Sequence, residues 1–286
     1  YRADSAKIVV TSEKRIEART TQPRASDQPP TPPAPLGEHI KSIIAVASGK
    51  GGVGKSTVAV NLAVALAHSG LSVGVLDADI YGPSIPTMMG ITGQRPDRDE
   101  NNKIIPITAH GVKCMSMGLF TDPAAGAVVW RGPMIQSAII QMIRDVDWTG
   151  PSSALDVLVI DMPPGTGDAH MAVAQKLKIT GAIIVSTPQD VALIDAEKAV
   201  QAFQKLGVPI LGLVENMSIF CCPSCGHNTP IFGANGARDA AARWGIPFLG
   251  ALPIDISVRT AGDTGTPIVG QPNAQKISAI YTDIAD

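Results

Sequence analysis

A glycine-rich stretch of the sequence has the residue types and the spacing that bind phosphate. It reads Gly-Lys-Gly-Gly-Val-Gly-Lys-Ser over residues 49–56 and fits the pattern G-x-x-x-x-G-K-S/T. Glycines let the backbone curl so that several N–H groups point at one anion. An apolar run at 42–47 precedes the stretch, and a helical pattern at 56–68 follows it and adds the positive end of a helix. This strand–loop–helix context predicts a nucleotide-binding phosphate loop.

Individual side chains in this loop have separate predicted roles. The predicted nucleotide contacts in the loop are Gly49, Lys50, Gly51, Gly52, Val53, Gly54, Lys55, Ser56 and Thr57. Lys55 is expected to reach the β- and γ-phosphates, and the Ser56 hydroxyl is expected to bind Mg²⁺. Lys50 is unusual, because an ordinary phosphate loop needs no lysine at this position. The alternative for Lys50 is a solvated surface lysine.

Three aspartates follow predicted strands and are candidates for a Mg²⁺ site. Asp77 and Asp79 come at the end of the apolar run 72–77, and Asp161 ends the run VLVID. The carboxyl ends of parallel strands meet at one crevice, where the nucleotide is expected. Asp161 is predicted to hold Mg²⁺, and Asp77 to share that coordination. The alternative for each aspartate is that it caps a loop or a helix.

Cysteines form the second chemical feature of the sequence. Cys222 and Cys225 stand in a CxxC spacing within FCCPSCGHNTP. Two intervening residues let both thiolates face one metal, but zinc sites and cubane iron–sulfur clusters usually take four thiolates. Because the sequence has no second CxxC, a two-fold dimer is needed to complete such a set. Zinc binding and a thioredoxin-like redox pair are alternatives for these two cysteines.

The remaining cysteines are expected to lie outside this site. Cys221 is interpreted as an accidental neighbour of the pair. Cys114 lies in the apolar segment VKCMSM and is interpreted as a small buried residue.

Apolar segments that alternate with helical patterns indicate the fold. The predicted strands are 42–47, 72–77, 104–108, 112–117, 157–161, 181–187, 210–215 and 248–252. The predicted helices are 56–68, 134–147, 168–178, 193–206, 236–244 and 274–284. Buried strands alternating with helices are typical of a parallel sheet that is covered on both faces. We therefore expect a doubly wound α/β fold with a mainly parallel sheet of about seven strands.

The chain divides into a short N-terminal region and one large domain. Residues 1–13 are interpreted as the remnant of a small upstream domain, and residues 14–40, which are rich in proline, as a flexible linker. Residues 41–286 are expected to form the phosphate-loop domain around a single core. The net charge of −2 argues against nucleic acid as a partner. No apolar run reaches the roughly 18 residues that a membrane span needs, so no membrane partner is expected.

The motifs also resemble those of known families. The loop GKGGVGKST is similar to the deviant phosphate loop of the MinD/ParA and nitrogenase-iron-protein class. Six segments within residues 41–286 resemble, in the same order, those of the Mrp/Nbp-type iron–sulfur carrier ATPases. They are SGKGGVGKST, LDADIYGPSIP, VWRGPM, DMPPGTGD, VENMS and CPSCG. This resemblance implies an ATP-hydrolysing homodimer in which Lys50 reaches the partner's nucleotide. It also implies a 4Fe-4S cluster that Cys222 and Cys225 hold between protomers and pass to apo iron–sulfur proteins.

The same resemblance implies roles for further residues around the nucleotide. Asp79 is expected to orient the attacking water in the first switch region. Gly165 is expected to meet the γ-phosphate through its backbone N–H, and Asn216 to contact the adenine edge. The alternative for Asn216 is a residue that forms a turn. Arg131, in VWRGPM, is a candidate for a switch or interface role.

Two other functions remain open at the level of sequence. One is a MinD/ParA-like positioning ATPase, for which the CxxC has no purpose. The other is a metal-insertion NTPase whose CxxC binds zinc. The interpreted upstream remnant resembles bacterial carriers and so favours the bacterial cytoplasm, with the mitochondrial matrix as the alternative.

Overall fold

The computed structural model describes residues 37, 39–120, 132–150, 154–165, 167 and 173–286, with the side chains of residues 132 and 133 excepted. The predicted upstream remnant, most of the predicted linker and Arg131 lie outside these residues. The first strand begins at Ile40, so the last residue of the predicted linker belongs to the sheet. Within the described residues, no helix is long and apolar enough to cross a membrane.

A large sheet forms the centre of the molecule, and a small hairpin is separate from it. The strands are β1 (Ile40–Ala47), β2 (Val73–Asp77), β3 (Ile107–Ala109), β4 (Val112–Ser116), β5 (Leu155–Asp161), β6 (Gly181–Ser186), β7 (Ile210–Glu215), β8 (Phe220–Cys221), β9 (Asn228–Thr229) and β10 (Phe248–Ala251). The order in the large sheet is β10-β7-β6-β1-β5-β2-β4-β3, and β8 pairs with β9. Every pairing in the large sheet is parallel except that of β3 with β4.

Helices cover both faces of the sheet. They are α1 (Lys55–His68), α2 (Ile85–Met88), α3 (Gly132–Arg144), α4 (Asp190–Lys205), α5 (Gly236–Trp244), α6 (Ile256–Thr264) and α7 (Gln275–Ala285). Residues 173–176 are also helical. The connections through α1 and α4 run in opposite directions along the sheet, and right-handed crossovers therefore place these helices on opposite faces. Helix α7 packs on α1, and α5 packs on α4.

The predicted doubly wound, mainly parallel fold is confirmed, with several differences in detail. The sheet has eight strands, because β3 adds an antiparallel edge to the seven parallel ones. This strand lies later than the predicted segment 104–108, since Ile104 forms isolated bridges with Arg98 and Val146 instead. Helix α4 begins at Asp190, three residues before the predicted start, where an acidic side chain suits the helix N-terminus. Helices α2 and α6 and the β8–β9 hairpin were not predicted.

The sheet register brings the ends of three strands together at the phosphate loop. Val46, just before the loop, pairs with Asp161 at the end of β5. Asp77, at the end of β2, pairs with Asp161 from the other side. The strands behind these residues are buried and apolar, so the core fixes where the two carboxylates stand.

Candidate nucleotide site and cysteine hairpin

The phosphate loop depends on glycine for two different reasons. A Cβ at Gly49 would lie 2.0 Å from the backbone C and O atoms of Asp195 in α4, so this position has no room for a side chain. Gly52 and Gly54 have φ values of 81° and 84°, which favour glycine. A Cβ at Gly52 would meet no atom within 4 Å, so there the backbone conformation alone requires glycine. The loop thus lies between α4 and the start of α1.

The two lysines of the loop have opposite environments. The Lys50 side chain is exposed, while its backbone carbonyl accepts a hydrogen bond of 2.9 Å from the Ser48 hydroxyl. Lys55 is only 6% exposed and forms a buried ion pair with Asp161. Lys50 is therefore available to another molecule, whereas Lys55 belongs to the interior of the site.

The two carboxylate oxygens of Asp161 have different surroundings. One carboxylate oxygen pairs with Lys55 Nζ, which also lies 3.4 Å from the Ser56 hydroxyl. The other oxygen, Oδ2, is buried and has no hydrogen-bond partner among the described residues. Burial raises the pKa of Asp161, and the charge of Lys55 opposes that shift. An unpartnered carboxylate oxygen close to a hydroxyl is a donor set that fits Mg²⁺ or a water bound to it.

Asp77 organises the loop that follows β2. Its carboxylate accepts hydrogen bonds from the backbone N–H groups of Asp79, Ser84 and Ile85 at 3.1, 3.0 and 3.2 Å. The hydroxyl of Ser116 donates to it at 3.2 Å. Burial, followed by the nearby charge of Asp161, raises the pKa of Asp77 to about 7. These contacts correspond to the capping alternative, and a direct role in Mg²⁺ coordination stays a prediction.

Asp79, Gly165 and Asn216 are the other residues predicted to surround the nucleotide. Asp79 is half-buried and next to the capped carboxylate of Asp77. The Gly165 N–H donates to the Ser48 carbonyl at 3.0 Å, so this bond must open before the N–H can meet a phosphate. Asn216 Nδ2 donates to the Val53 carbonyl at 2.8 Å. The roles of these residues toward water, phosphate and adenine stay predictions.

The predicted cysteine pair lies at the tip of the β8–β9 hairpin. Cys222 donates its N–H to the His227 carbonyl at 2.9 Å, and Gly226 N–H donates to the Cys222 carbonyl at 2.8 Å. Backbone N–H groups of Ser224 and Cys225, followed by the Cys225 thiol, lower the pKa of Cys222. Cys222 is half-buried and Cys225 is exposed, so both can meet a ligand from solvent. This tight turn favours the thiolate form that binds metals.

Among the described residues of one chain, further potential metal ligands do not cluster with the hairpin cysteines. In the described part of the chain, no three histidine, cysteine or acidic side chains cluster closely enough to hold a metal. Cys221 is exposed, and its thiol lies 3.7 Å from the Gly226 carbonyl. Cys114 is fully buried in β4, as expected, and burial raises the pKa of its thiol to about 12.

Sequence reasoning missed the side chains that hold the site together. Ser116 supports Asp77 from β4, and Glu215 accepts the N–H of Ala237 at 2.8 Å at the start of α5. The contact between Asn216 and Val53 was also missed. Each of these contacts joins residues far apart in the chain, and no short motif signals them.

The chain is similar to proteins of one known family. Residues 39–286 match the family model of the NUBPL iron-transfer P-loop NTPases, in the ParA class. A protein of Arabidopsis thaliana, named iron-sulfur protein required for NADH dehydrogenase, mitochondrial, is 54% identical over 86% of this chain and 77% of its own length. The iron-sulfur cluster carrier protein of Salmonella typhimurium is 52% identical over 86% of this chain, and the chain spans 66% of that protein.

One solved structure is also similar to this chain in fold and sequence. The nucleotide-binding protein of Archaeoglobus fulgidus in complex with ADP superposes with a TM-score of 0.71 at 38% identity, covering 83% of this chain and 92% of that one. The matched region includes the phosphate loop and the cysteine hairpin, because the family model extends from residue 39 to residue 286. The chain belongs to the NUBPL-type family of iron-transfer P-loop NTPases.

Proposed function

We propose that this chain binds and hydrolyses ATP and carries a labile 4Fe-4S cluster between two copies of itself for delivery to apo-proteins. Relatives about half identical to the chain are named as iron–sulfur cluster carriers, which supports the cargo. The observation that carries the proposal is the hairpin, where two accessible cysteines lack further metal ligands among the described residues.

The number of thiolates supports the dimer. A cubane cluster usually takes four cysteine ligands, and Cys222 and Cys225 supply half of that set. A two-fold axis near the hairpin would bring a second pair from another copy. The exposed Lys50 suits the same arrangement, since it is free to reach a nucleotide in the partner. Both features then serve one symmetric assembly.

The residues of the site divide the work of phosphoryl transfer. Backbone N–H groups of the curled loop and the start of α1 bind the phosphates. Lys55 exchanges its contact with Asp161 for one with the β- and γ-phosphates, and Asp161 and Ser56 are the residues that would then hold Mg²⁺. Held there, the ion would supply positive charge that neutralises the phosphates. Asp79 orients the attacking water.

The relatives bear on the proposed compartment and partners. They include a bacterial carrier and a mitochondrial protein. We place this chain in the bacterial cytoplasm, with the mitochondrial matrix as the alternative, and apo iron–sulfur proteins as its acceptors. Neither nucleic acid nor a membrane is part of the proposal.

Anaerobic reconstitution with iron and sulfide tests the cargo. We expect about four iron atoms per dimer, together with the absorbance of thiolate-to-iron charge transfer. The Cys222→Ala/Cys225→Ala variant is expected to lose both signals. The Cys221→Ala and Cys114→Ala variants are the matched controls and are expected to keep them. Iron that remains bound without Cys222 and Cys225 would contradict the proposal.

Zinc is the second candidate cargo of the hairpin. The turn that lowers the pKa of Cys222 stabilises a thiolate for zinc as well as for iron. Tight zinc without cysteine-dependent iron would make the chain a zinc-linked dimer and would favour the metal-insertion alternative.

A further inference from the structure

One short stretch of chain joins the phosphate loop to the cysteine hairpin. Residues 216–221, here called the connecting segment, run from the end of β7 into β8. Asn216 touches the phosphate loop at one end, and Cys221 directly precedes the CxxC at the other. The contacts along the segment decide whether a movement at one end reaches the other.

The first end of the connecting segment is packed tightly against the phosphate loop. Asn216 is buried and donates from Nδ2 to the Val53 carbonyl at 2.8 Å. A Cβ at Gly54 would lie only 2.1 Å from this nitrogen, so the loop backbone and the amide are in close contact. The Asn216 N–H is also held by the Ser186 carbonyl at 2.8 Å. A shift of the loop at Val53 or Gly54 must therefore move Asn216 or break its contact.

The middle of the segment has an unusual backbone conformation. Met217 has a φ of 57°, in the left-handed region that residues other than glycine rarely adopt. Such a conformation persists only where contacts on both sides hold it. Loss of the contact on the Asn216 side would allow Met217 to adopt an ordinary conformation and would change the direction of the chain.

The second end of the segment is tied to the chain after β10. The N–H and the hydroxyl of Ser218 both donate to the Leu252 carbonyl at 2.9 Å. The Ile219 carbonyl accepts from Ile254 N–H at 2.8 Å, and Phe220 forms a bridge with Ile254. The hairpin therefore has a fixed orientation that depends on the path of residues 217–219.

Resting on the proposed function, we propose that the connecting segment transmits the nucleotide state to the cysteines, with Asn216 as the positioning residue. Closure of the phosphate loop on a nucleotide moves the Val53 carbonyl. Asn216 follows that movement, Met217 changes conformation, and the hairpin changes the exposure of Cys222 and Cys225. The device would let nucleotide binding decide when the cluster is held or released.

Thiol alkylation of the metal-free protein tests the coupling. Iodoacetamide is added with and without Mg²⁺ and a saturating non-hydrolysable ATP analogue, and the rate at each cysteine is followed by peptide mass spectrometry. We expect the alkylation rates of Cys222 and Cys225 to differ by about fivefold between the proteins with and without nucleotide. A factor of this size corresponds to the gain or loss of one hydrogen bond. Cys114 is the unreactive internal reference, because it is fully buried.

Three variants separate coupling from other effects. Asn216→Ala and Ser218→Ala are each expected to bring the ratio close to one. Ser278→Ala is the matched control, because it also removes a hydroxyl that donates to a backbone carbonyl, that of Ile268 at 3.2 Å, but lies in α7. It is expected to keep the ratio of the unaltered protein. Equilibrium dialysis confirms saturation for each variant, so weaker nucleotide binding is not mistaken for lost coupling.

The outcomes distinguish this inference from the proposed function. The coupling is overturned if both variants keep the nucleotide-dependent ratio of alkylation rates. It is also overturned if that ratio is one in the unaltered protein with nucleotide bound. Either result leaves cluster binding untouched, because the assay contains no iron. Failure of iron reconstitution, in turn, does not alter the thiol ratios.

Discussion

At the scale of single residues, the pair of Lys55 and Asp161 links the fold to phosphate chemistry. Lys55 is 6% exposed and Asp161 is fully buried, so neither charge has water to stabilise it. Buried charges are tolerated when they are paired, and removal of one partner leaves the other uncompensated. The same two side chains are the predicted ligands of phosphate and Mg²⁺. We therefore expect the pair to hold both side chains in place without nucleotide and to open when a nucleotide binds.

Removal of Lys55 is expected to destabilise the nucleotide-free protein. Lys55→Ala should lower the free energy of unfolding by about 3 kcal/mol, because Asp161 is left buried without its counter-charge. Urea denaturation measures this loss, and adding Asp161→Asn should restore part of it. Lys198→Ala, which removes an exposed pair with Asp195, is the control and should change stability by less than about 1 kcal/mol. A Lys55→Ala protein as stable as the control would contradict this account.

Asp77 is expected to make the stability of the metal-free protein depend on pH. Its pKa is raised to about 7 in the folded state, above its usual value of 3.8, so the folded protein binds more protons than the unfolded chain between these values. Its stabilising contribution is therefore present at low pH and is lost as the pH rises toward 7. From pH 5 to pH 8 the loss should be of the order of 2 kcal/mol.

The Asp77→Asn variant isolates that contribution. At pH 5 its stability should be close to that of the unaltered protein, because the neutral amide, like the protonated carboxyl of Asp77, offers one acceptor oxygen and one donor group. Its stability should also fall less between pH 5 and pH 8. Chemical denaturation in the presence of a chelator measures both, and equal slopes for the two proteins would show that Asp77 does not titrate in this range.

Residue types in motifs could be predicted from the sequence, but their partners could not. The phosphate loop and the CxxC follow from spacing alone, and the structure places the first directly after β1 and the second at the tip of the β8–β9 hairpin. The role of Asp77 toward Mg²⁺ stays a prediction, and only the structure shows that its carboxylate accepts the N–H groups of Ser84 and Ile85. Those contacts come from β4 and from the loop before α2, which only the folded sheet brings close.

At the scale of elements, the close fit of the sheet to its neighbours is evident at Gly74 in β2. A Cβ there would lie 2.8 Å from the Trp148 ring and 3.0 Å from Leu158 Cδ1. Interiors are packed as densely as organic crystals, so an added methyl group must displace one of these side chains. Gly74 thus lets Trp148 cover the strand that carries Asp77.

Substitution of this glycine should therefore be unfavourable. Gly74→Ala is expected to lower the free energy of unfolding by about 1–3 kcal/mol through overpacking against Trp148. Gly82→Ala is the matched control, since a Cβ at that position would meet no atom within 4 Å. The thermal midpoint of each variant measures the difference. Equal midpoints would mean that Trp148 moves aside without loss.

Long elements were predictable because their patterns repeat, and short ones were not. Strand β5 contains the continuous apolar run 157–160, and α5 was predicted with its observed bounds. Helix α6 combines polar residues with few apolar ones, so its sequence shows no apolar face. The β8–β9 hairpin has only two residues in each strand, too few for an alternating pattern.

At the scale of the whole molecule, two features bear on the proposed dimer. Lys50 is exposed in the phosphate loop, and the hairpin presents two accessible cysteines. In the proposed function one symmetric dimer would complete both. We therefore expect nucleotide and cluster to act together in that dimer.

Lys50 provides a test of that dimer that does not depend on the cluster. Lys50→Ala should leave the thermal midpoint unchanged within about 1 °C, since exposed side chains contribute little to stability. The ATP hydrolysis rate per protomer should rise with protein concentration in the unaltered protein and stay constant in the variant. A variant whose rate still rises with concentration would show that Lys50 does not act across an interface.

Native mass spectrometry of the anaerobically reconstituted protein shows whether two copies of the chain share one cluster. We expect a dimer that carries one 4Fe-4S cluster, and a monomer without iron when Cys222 and Cys225 are both replaced by alanine. A monomer that carries the whole cluster, or a dimer that keeps its cluster after this replacement, would contradict it.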